Sequence, residues 1–143
     1  MINNICLIAI DGSEPSLKSI DFMIRDASTR SCVPMIHLVN VQPALPSDIT
    51  RFIDRQTVND YQREAGDVAL VTAKARLDAA SMAYSAHVLV GEAAPTLVEF
   101  AKARQCDMII MGAHGFGTVL GLFMGSVTVK VVQLSDVPVL LIK

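Results

Sequence analysis

The sequence predicts a three-layer α/β domain, a doubly wound five-stranded parallel sheet with helices on both faces. Three observations predict it. Continuous apolar runs of strand length recur along the 143 residues, stretches between them repeat apolar side chains every three or four positions, and Gly, Pro, Asp or Ser marks most of the joints. Strands apolar on both faces must be covered on both faces, and a parallel sheet with helical crossovers does this. Right-handed crossovers then leave few topologies. With 52% apolar residues the length suits one core, so residues 1–143 are expected to form a single domain.

Ile5-Cys6-Leu7-Ile8-Ala9-Ile10 reads as the first strand, ended by the turn-forming Asp11-Gly12-Ser13. Ser13 can cap the next helix, Pro15 suits its first turn, and Leu17, Ile20, Ile24 and Ala27 make one apolar stripe. Met35 to Val41 is the second strand, and the two prolines of Gln42-Pro43-Ala44-Leu45-Pro46-Ser47 make the next segment a loop. From about Asp48 to Ala83 the pattern is helical and carries most of the charge. Gly66 marks a possible break, which leaves one long helix or two joined pieces. Ala86 to Val90 is the third strand, and Gly91-Glu92-Ala93-Ala94-Pro95 leads into a helix with Leu97, Phe100 and Ala101 inward. Met108 to Met111 is the fourth strand, followed by a glycine-rich segment, a helix to about Leu134, and a fifth strand over Val137 to Ile142.

Composition removes several function classes. Twelve basic against fourteen acidic residues give a net charge of −2, so no basic field serves nucleic acid or an anionic membrane. Aromatics make up 5% and Trp is absent, which leaves too few stacking platforms for single strands. Cys6, Cys32 and Cys106 have neither metal-ligand spacing nor an even count, and the first residues lack the basic start of a signal peptide, so a reducing cytoplasm is expected. Between Met108 and Ser135 the only charge is Lys130, and Gly117, Gly121 and Gly125 fall at GxxxG spacing. Gly112, Gly115 and Gly117 crowd the front of that segment and Asp136 and Pro138 close it, so a buried loop and helix fit better than a membrane span. His37 and His87, each on a strand and neither with a ligand partner at recognisable spacing, read as sheet-face residues. Cys6, inside a strand, is expected to be inert, while Cys106 at a helix end is the thiol best placed to react.

In an open parallel sheet, ligands bind beyond the carboxyl ends of the strands, where the winding reverses. Two loops belong there. Asp11-Gly12-Ser13 puts a carboxylate directly after the first strand, able to accept from ribose hydroxyls or an amine, or to make an Asx turn at a helix entry. Met111-Gly112-Ala113-His114-Gly115-Phe116-Gly117, with Gly125-Ser126 opening the next helix, has the logic of a phosphate cradle. Glycines allow close approach of N–H groups, the helix start adds orphan donors, and Ser126 adds a hydroxyl. The same glycines also suit a plain tight turn. The spacing is neither a P-loop nor the dinucleotide fingerprint.

The run Gly112-x2-Gly115-x9-Gly125-Ser126 reproduces the Gly-x2-Gly-x9-Gly-Ser/Thr ATP-binding signature of the universal stress protein family, which the chain resembles over essentially its full length. Further landmarks are the opening strand into Asp11-Gly12-Ser13, Val39-Asn40-Val41-Gln42-Pro43, Val90-Gly91-Glu92, the Cys106 to Gly112 run, and Val137 to Ile142. The resemblance implies a Rossmann-like sheet, similar to the adenine nucleotide alpha hydrolases, of strand order 3-2-1-4-5. It also implies that Asp11 meets the ribose and adenine end, that the Val41 backbone reads the adenine edge, and that Ala9 and Met111 line the base pocket. Gly112, Gly115, Gly125, Ser126 and Val127 would cradle ribose and phosphates, with His114 beside them. Phe116 to Met124 has no Lys or Arg where many family members are basic, so backbone N–H groups would hold the phosphates, with Mg2+ as the companion cation. The implied ligand is ATP, or ADP or AMP. The resemblance further implies a homodimer through the last strand, Val137 to Ile142, an apolar edge that needs cover.

The expected function is therefore a cytoplasmic sensor or regulator that binds an adenine nucleotide with little or no hydrolysis. The phosphate end offers only His114 and Ser126, too little for a positioned water and charge stabilisation. The alternative is a dimeric interaction scaffold of the same fold that binds no nucleotide. An ATP pyrophosphatase lacks its Ser-Gly-Gly-x-Asp-Ser loop here, a phospho-receiver lacks its Asp after the third strand, and a flavin carrier lacks flanking aromatics.

Overall fold

The computed structural model describes residues 3–114 and 124–143. Strands β1 (Ile5–Ala9), β2 (Met35–Gln42), β3 (Tyr84–Val90), β4 (Met108–Gly112) and β5 (Val139–Ile142) form one sheet in the order β3-β2-β1-β4-β5. Every neighbouring pair is parallel. Helices α1 (Glu14–Ala27), α2 (Ser47–Thr50), α3 (Arg55–Ala79), α4 (Ala93–Ala103) and α5 (Ser126–Leu134) connect them. The chain winds outward from β1 to β3 and then returns to place β4 on the other side of β1, so Cys6 pairs with Ile36 on one flank and Met108 on the other. The reversal makes the carboxyl ends of β1 and β4 the crevice.

Strand alternation divides the core into two layers. Cys6, Ile8 and Ile10 face Leu17, Ile20 and Met23 of α1 and Leu70, Ala73 and Leu77 of α3. Leu7, Val39, Ile109 and Met111 face Ala94, Leu97 and Ala101 of α4 and Val131 of α5. Continuous apolar strands are thus buried from both sides, as their composition requires. The Ser13 side chain caps α1 by accepting from the N–H of Ser16, with Pro15 in the first turn.

Several boundaries differ from the sequence reading: β1 stops at Ala9, α3 ends at Ala79 rather than near Ala83, β3 begins at Tyr84 rather than Ala86, and β4 extends to Gly112. β5 begins at Val139 rather than Val137, because the Ser135 hydroxyl accepts from the N–H of Val137 and donates to its carbonyl, tying that residue into a local turn. The supposed loop is shorter, since Gln42 ends β2 and Ser47 starts α2. The helical stretch divides before Asp54, whose carboxylate accepts from the N–H of Thr57 and caps α3; α3 then runs unbroken through Gly66.

Gly66 is where α3 rests on the sheet. A Cβ there would lie 2.3 Å from Cγ1 and 2.6 Å from Cγ2 of Val88, a side chain with little rotamer freedom. Gly66→Ala is expected to destabilise the fold by about 1–3 kcal/mol through overpacking, less the roughly 1 kcal/mol that alanine gains in helix propensity. Urea unfolding checks the loss, and adding Val88→Ala should restore most of it.

Among the described residues no helix is long and apolar enough to cross a membrane.

Candidate functional site

A cavity of about 190 Å³ opens at the carboxyl ends of β1, β2 and β4. Its lining brings together Ala9 at the end of β1 and Asp11 just beyond it, Val41 of β2, Met111, Gly112 and His114 at and beyond β4, and Gly125, Ser126 and Val127 at the start of α5. Gly115 lies outside the described residues. The site therefore joins positions more than a hundred residues apart in sequence, and it does so at the sheet's reversal point.

Asp11 serves its own turn first. One carboxylate oxygen accepts from both the N–H and the hydroxyl of Ser13, while Gly12 takes a φ of +88° that favours glycine. This Asx turn fixes an exposed carboxylate at the mouth of the cavity. Opposite it, β4 ends against α1 without room for a side chain, since a Cβ on Gly112 would lie 2.7 Å from the Pro15 carbonyl oxygen. The Gly112 carbonyl accepts from the Thr128 hydroxyl at 3.2 Å, and the Ala113 carbonyl accepts from the N–H of Gly125 at 3.0 Å. These two bonds bind the end of β4 to the start of α5.

The α5 N-terminus is built to receive an acceptor. Its N-cap, Gly125, supplies no side-chain bond, so among the described residues no side-chain cap takes the first-turn N–H groups, which suit an acceptor. Nearby, Nδ1 of His114 is sealed from solvent with no hydrogen-bond partner among the described residues. No Lys or Arg side chain lines the cavity among the described residues. The arrangement thus offers N–H donors, a hydroxyl and an imidazole at one end, a carboxylate at the other, and apolar walls from Ala9, Val39, Leu97 and Met111 between them.

Two contributors escaped the sequence reading. Asn40 is buried on β2, donates to the Ile10 carbonyl at 2.8 Å and accepts from the Gln42 side chain at 2.8 Å, which couples the ends of β1 and β2. A lone amide inside an apolar strand was its only signal. Thr128 looks like an ordinary helix residue until its bond to Gly112 is seen.

The two strand histidines meet each other. Nδ1 of His37 lies 3.0 Å from Nε2 of His87, and both rings pack on Phe100, beside the Arg104 guanidinium. Among the described residues no group of three metal-ligating side chains forms. Burial pushes both imidazoles below the ordinary value of 6.5, with Arg104 acting the same way and His37 adding to the shift at His87. The unfolded chain therefore binds more protons than the folded one as pH falls through the ordinary histidine value, so stability is full above about 6.5 and is lost below it. Urea midpoints measured from about pH 7.5 to 5 should decline, and the double variant His37→Gln, His87→Gln should flatten the slope.

Cys106 does not fulfil its expectation as a reactive thiol. It is buried, and burial with the neighbouring Asp107 carboxylate raises its pKa. Burial, with Cys106 adding, pushes the Cys6 thiol up to about 12. Only thiolates react readily.

The sequence profile of the universal stress protein family matches residues 2–143. The chain belongs to the universal stress protein family. Universal stress protein YxiE of Bacillus subtilis is 27% identical over 146 residues, covering 98% of this chain and 99% of that protein. Among solved structures, the universal stress protein of Archaeoglobus fulgidus in complex with dAMP superposes with a TM-score of 0.67 at 22% identity, covering 100% of both chains. A universal stress protein in complex with cAMP superposes with a TM-score of 0.63 at 23% identity, covering 96% of this chain and 94% of that one. Universal stress proteins thus include members solved with adenine nucleotides, on the fold described above.

Proposed function

We propose that this universal stress protein binds an adenine nucleotide, ATP or else ADP or AMP, as a cytoplasmic sensor or regulator with little or no hydrolysis. The observation that carries the reading is the convergence on one cavity of a carboxylate, apolar walls and an uncapped helix N-terminus. In this reading the base lies between Ala9, Val41 and Met111, Asp11 accepts from the ribose, and phosphate meets the first turn of α5 with Ser126 and His114; Gly115 joins by family pattern. Mg2+ would accompany the polyphosphates, for lack of a basic side chain in the lining among the described residues. The same scarcity of charged groups argues against rapid turnover. A homodimer through Val137 to Ile142 covers the apolar edge strand β5, and the exposed Val129, Val132 and Leu134 of α5 support an interface on that side.

Equilibrium binding of labelled ATP, ADP and AMP tests the proposal, together with mass spectrometry of any small molecule that co-purifies. Saturable binding is expected, weakened about tenfold or more in Asp11→Ala, since a hydrogen bond to a charged group contributes about 1.5–3 kcal/mol. Asp11→Asn keeps an acceptor for the Ser13 turn, so it separates loss of ligand contact from loss of local order. Absence of saturable binding for all three nucleotides would instead favour the scaffold.

A further inference from the structure

The sheet has a second edge. β3 ends it on the side away from β5, and the seven residues Tyr84–Val90 contain no Lys, Arg, Asp, Glu or Pro. Edge strands are usually guarded by such residues, by bulges or by a covering element, because their outer N–H and C=O groups can accept another strand. The ladder continues beyond β3 with an N–H of Gly91 donating to the Gln42 carbonyl at 3.0 Å. By strand alternation, the N–H and C=O groups of Ala86, Val88 and Val90 are directed away from β2. Among the described residues no strand pairs with them.

This open edge is not featureless. A cavity of about 320 Å³ lies between it and α3, lined by Arg63, Asp67 and Lys74 above and by Ala86 and Val88 below. Among the described residues none of these three charged side chains is in an ion pair. Two cations against one carboxylate make a basic ledge over unpaired ladder groups. We infer that the outer edge of β3, with the Arg63 and Lys74 ledge of α3, is a docking strip for an extended acidic peptide segment that adds to the sheet as a further strand.

Each part of that ligand follows from a part of the surface. Only an extended backbone answers alternating N–H and C=O groups along a strand edge. Acidic side chains answer the ledge, and a second copy of β3 does not, because it carries no carboxylate and brings its own basic ledge with it. Arg63 and Lys74 are eleven residues apart on one helix, or about 16 Å. Two side chains on the same face of a strand, four residues apart, span about 13 Å, and the long basic side chains cover the remainder. The preferred segment therefore has carboxylates at positions i and i+4, separated by uncharged, strand-forming residues.

The test uses the full chain and a labelled peptide, acetyl-Thr-Glu-Val-Thr-Val-Glu-Val-Thr-amide, with a second peptide carrying Lys for each Glu. Fluorescence anisotropy should give saturable binding of the acidic peptide at least tenfold tighter than the basic one. Amide shifts in a nitrogen-labelled sample should concentrate on Ala86, Val88 and Val90. Ala86→Pro removes an outward N–H while sparing the bonds to β2, and should abolish binding with the circular dichroism unchanged. Should that variant misfold, the double variant Arg63→Glu, Lys74→Glu, at one exposed and one half-buried position of α3, should reverse the preference between the two peptides. Equal affinity for both peptides, no saturation, or binding that survives either folded variant overturns the inference. So does a self-association, seen by sedimentation, that Ala86→Pro removes, since the strip would then be a contact between copies.

Discussion

Aspartate in place of Gly125 is expected to abolish nucleotide binding while leaving the fold at least as stable. Gly125 has φ −62° and ψ 153°, ordinary extended values for any L-residue, so the new side chain meets no backbone strain. Aspartate is a favoured N-cap, better than glycine by a few tenths of a kcal/mol, and its charge at a helix start adds about 0.3–1 kcal/mol. The stabilisation and the loss of binding have one cause. The carboxylate would take the N–H groups of the first turn of α5 that a phosphate would otherwise use, and would repel the phosphate as well. Losing charge-assisted bonds of about 1.5–3 kcal/mol each lowers affinity by roughly a hundredfold or more. Calorimetric titration with ATP and thermal unfolding read the two effects separately. Gly125→Asn, a comparable cap without the charge, should lose less affinity. Unchanged affinity in Gly125→Asp would remove the α5 N-terminus from the site.

The opposite responses to one substitution reflect what the sequence makes legible. The central strands β1 and β4 declare themselves because each is an uninterrupted apolar run, and burial on both faces is the direct consequence; Leu7, Ile8 and Ile109 are fully enclosed. α1 declares itself through Ser13 and Pro15, local signals with local effects. The proposed phosphate end of the site is legible for the same reason, since glycine spacing and a helix start lie within fifteen residues of each other. Contacts made across the sheet are not. Gly66 reads locally as a weak point in a helix, yet its role is set by Val88, a residue on another element. The bond from Asn40 to Ile10 spans thirty positions, and the pair His37 and His87 depends on a register that sets Val39 opposite His87. Periodicity carries no information about which strand end will lie beside which, so these partners emerge only with the topology.

Gly112 joins the local signal to the nonlocal contact, and Gly112→Ala is expected to be among the most destabilising single-methyl additions to this protein. The new Cβ would lie 2.7 Å from the carbonyl oxygen and 2.9 Å from the carbonyl carbon of Pro15, with the His114 carbonyl oxygen at 3.1 Å. All three are backbone atoms, so no rotamer change relieves the contact, in contrast to the side-chain contact at Gly66. Either α1 or the end of β4 must move, at a cost of about 3 kcal/mol, the upper part of the usual range for overpacking. Movement of α1 carries Ser13, and with it the turn that holds Asp11; movement of β4 strains the Thr128 bond to Gly112. Binding should therefore fall along with stability. Urea unfolding with and without nucleotide distinguishes this from a simple loss of stability. A ligand at a hundred times its Kd adds about 2.7 kcal/mol to a competent site, and that increment should appear in the parent and shrink or vanish in the variant. An undiminished increment in Gly112→Ala would mean that the cavity does not depend on the close approach of β4 to α1.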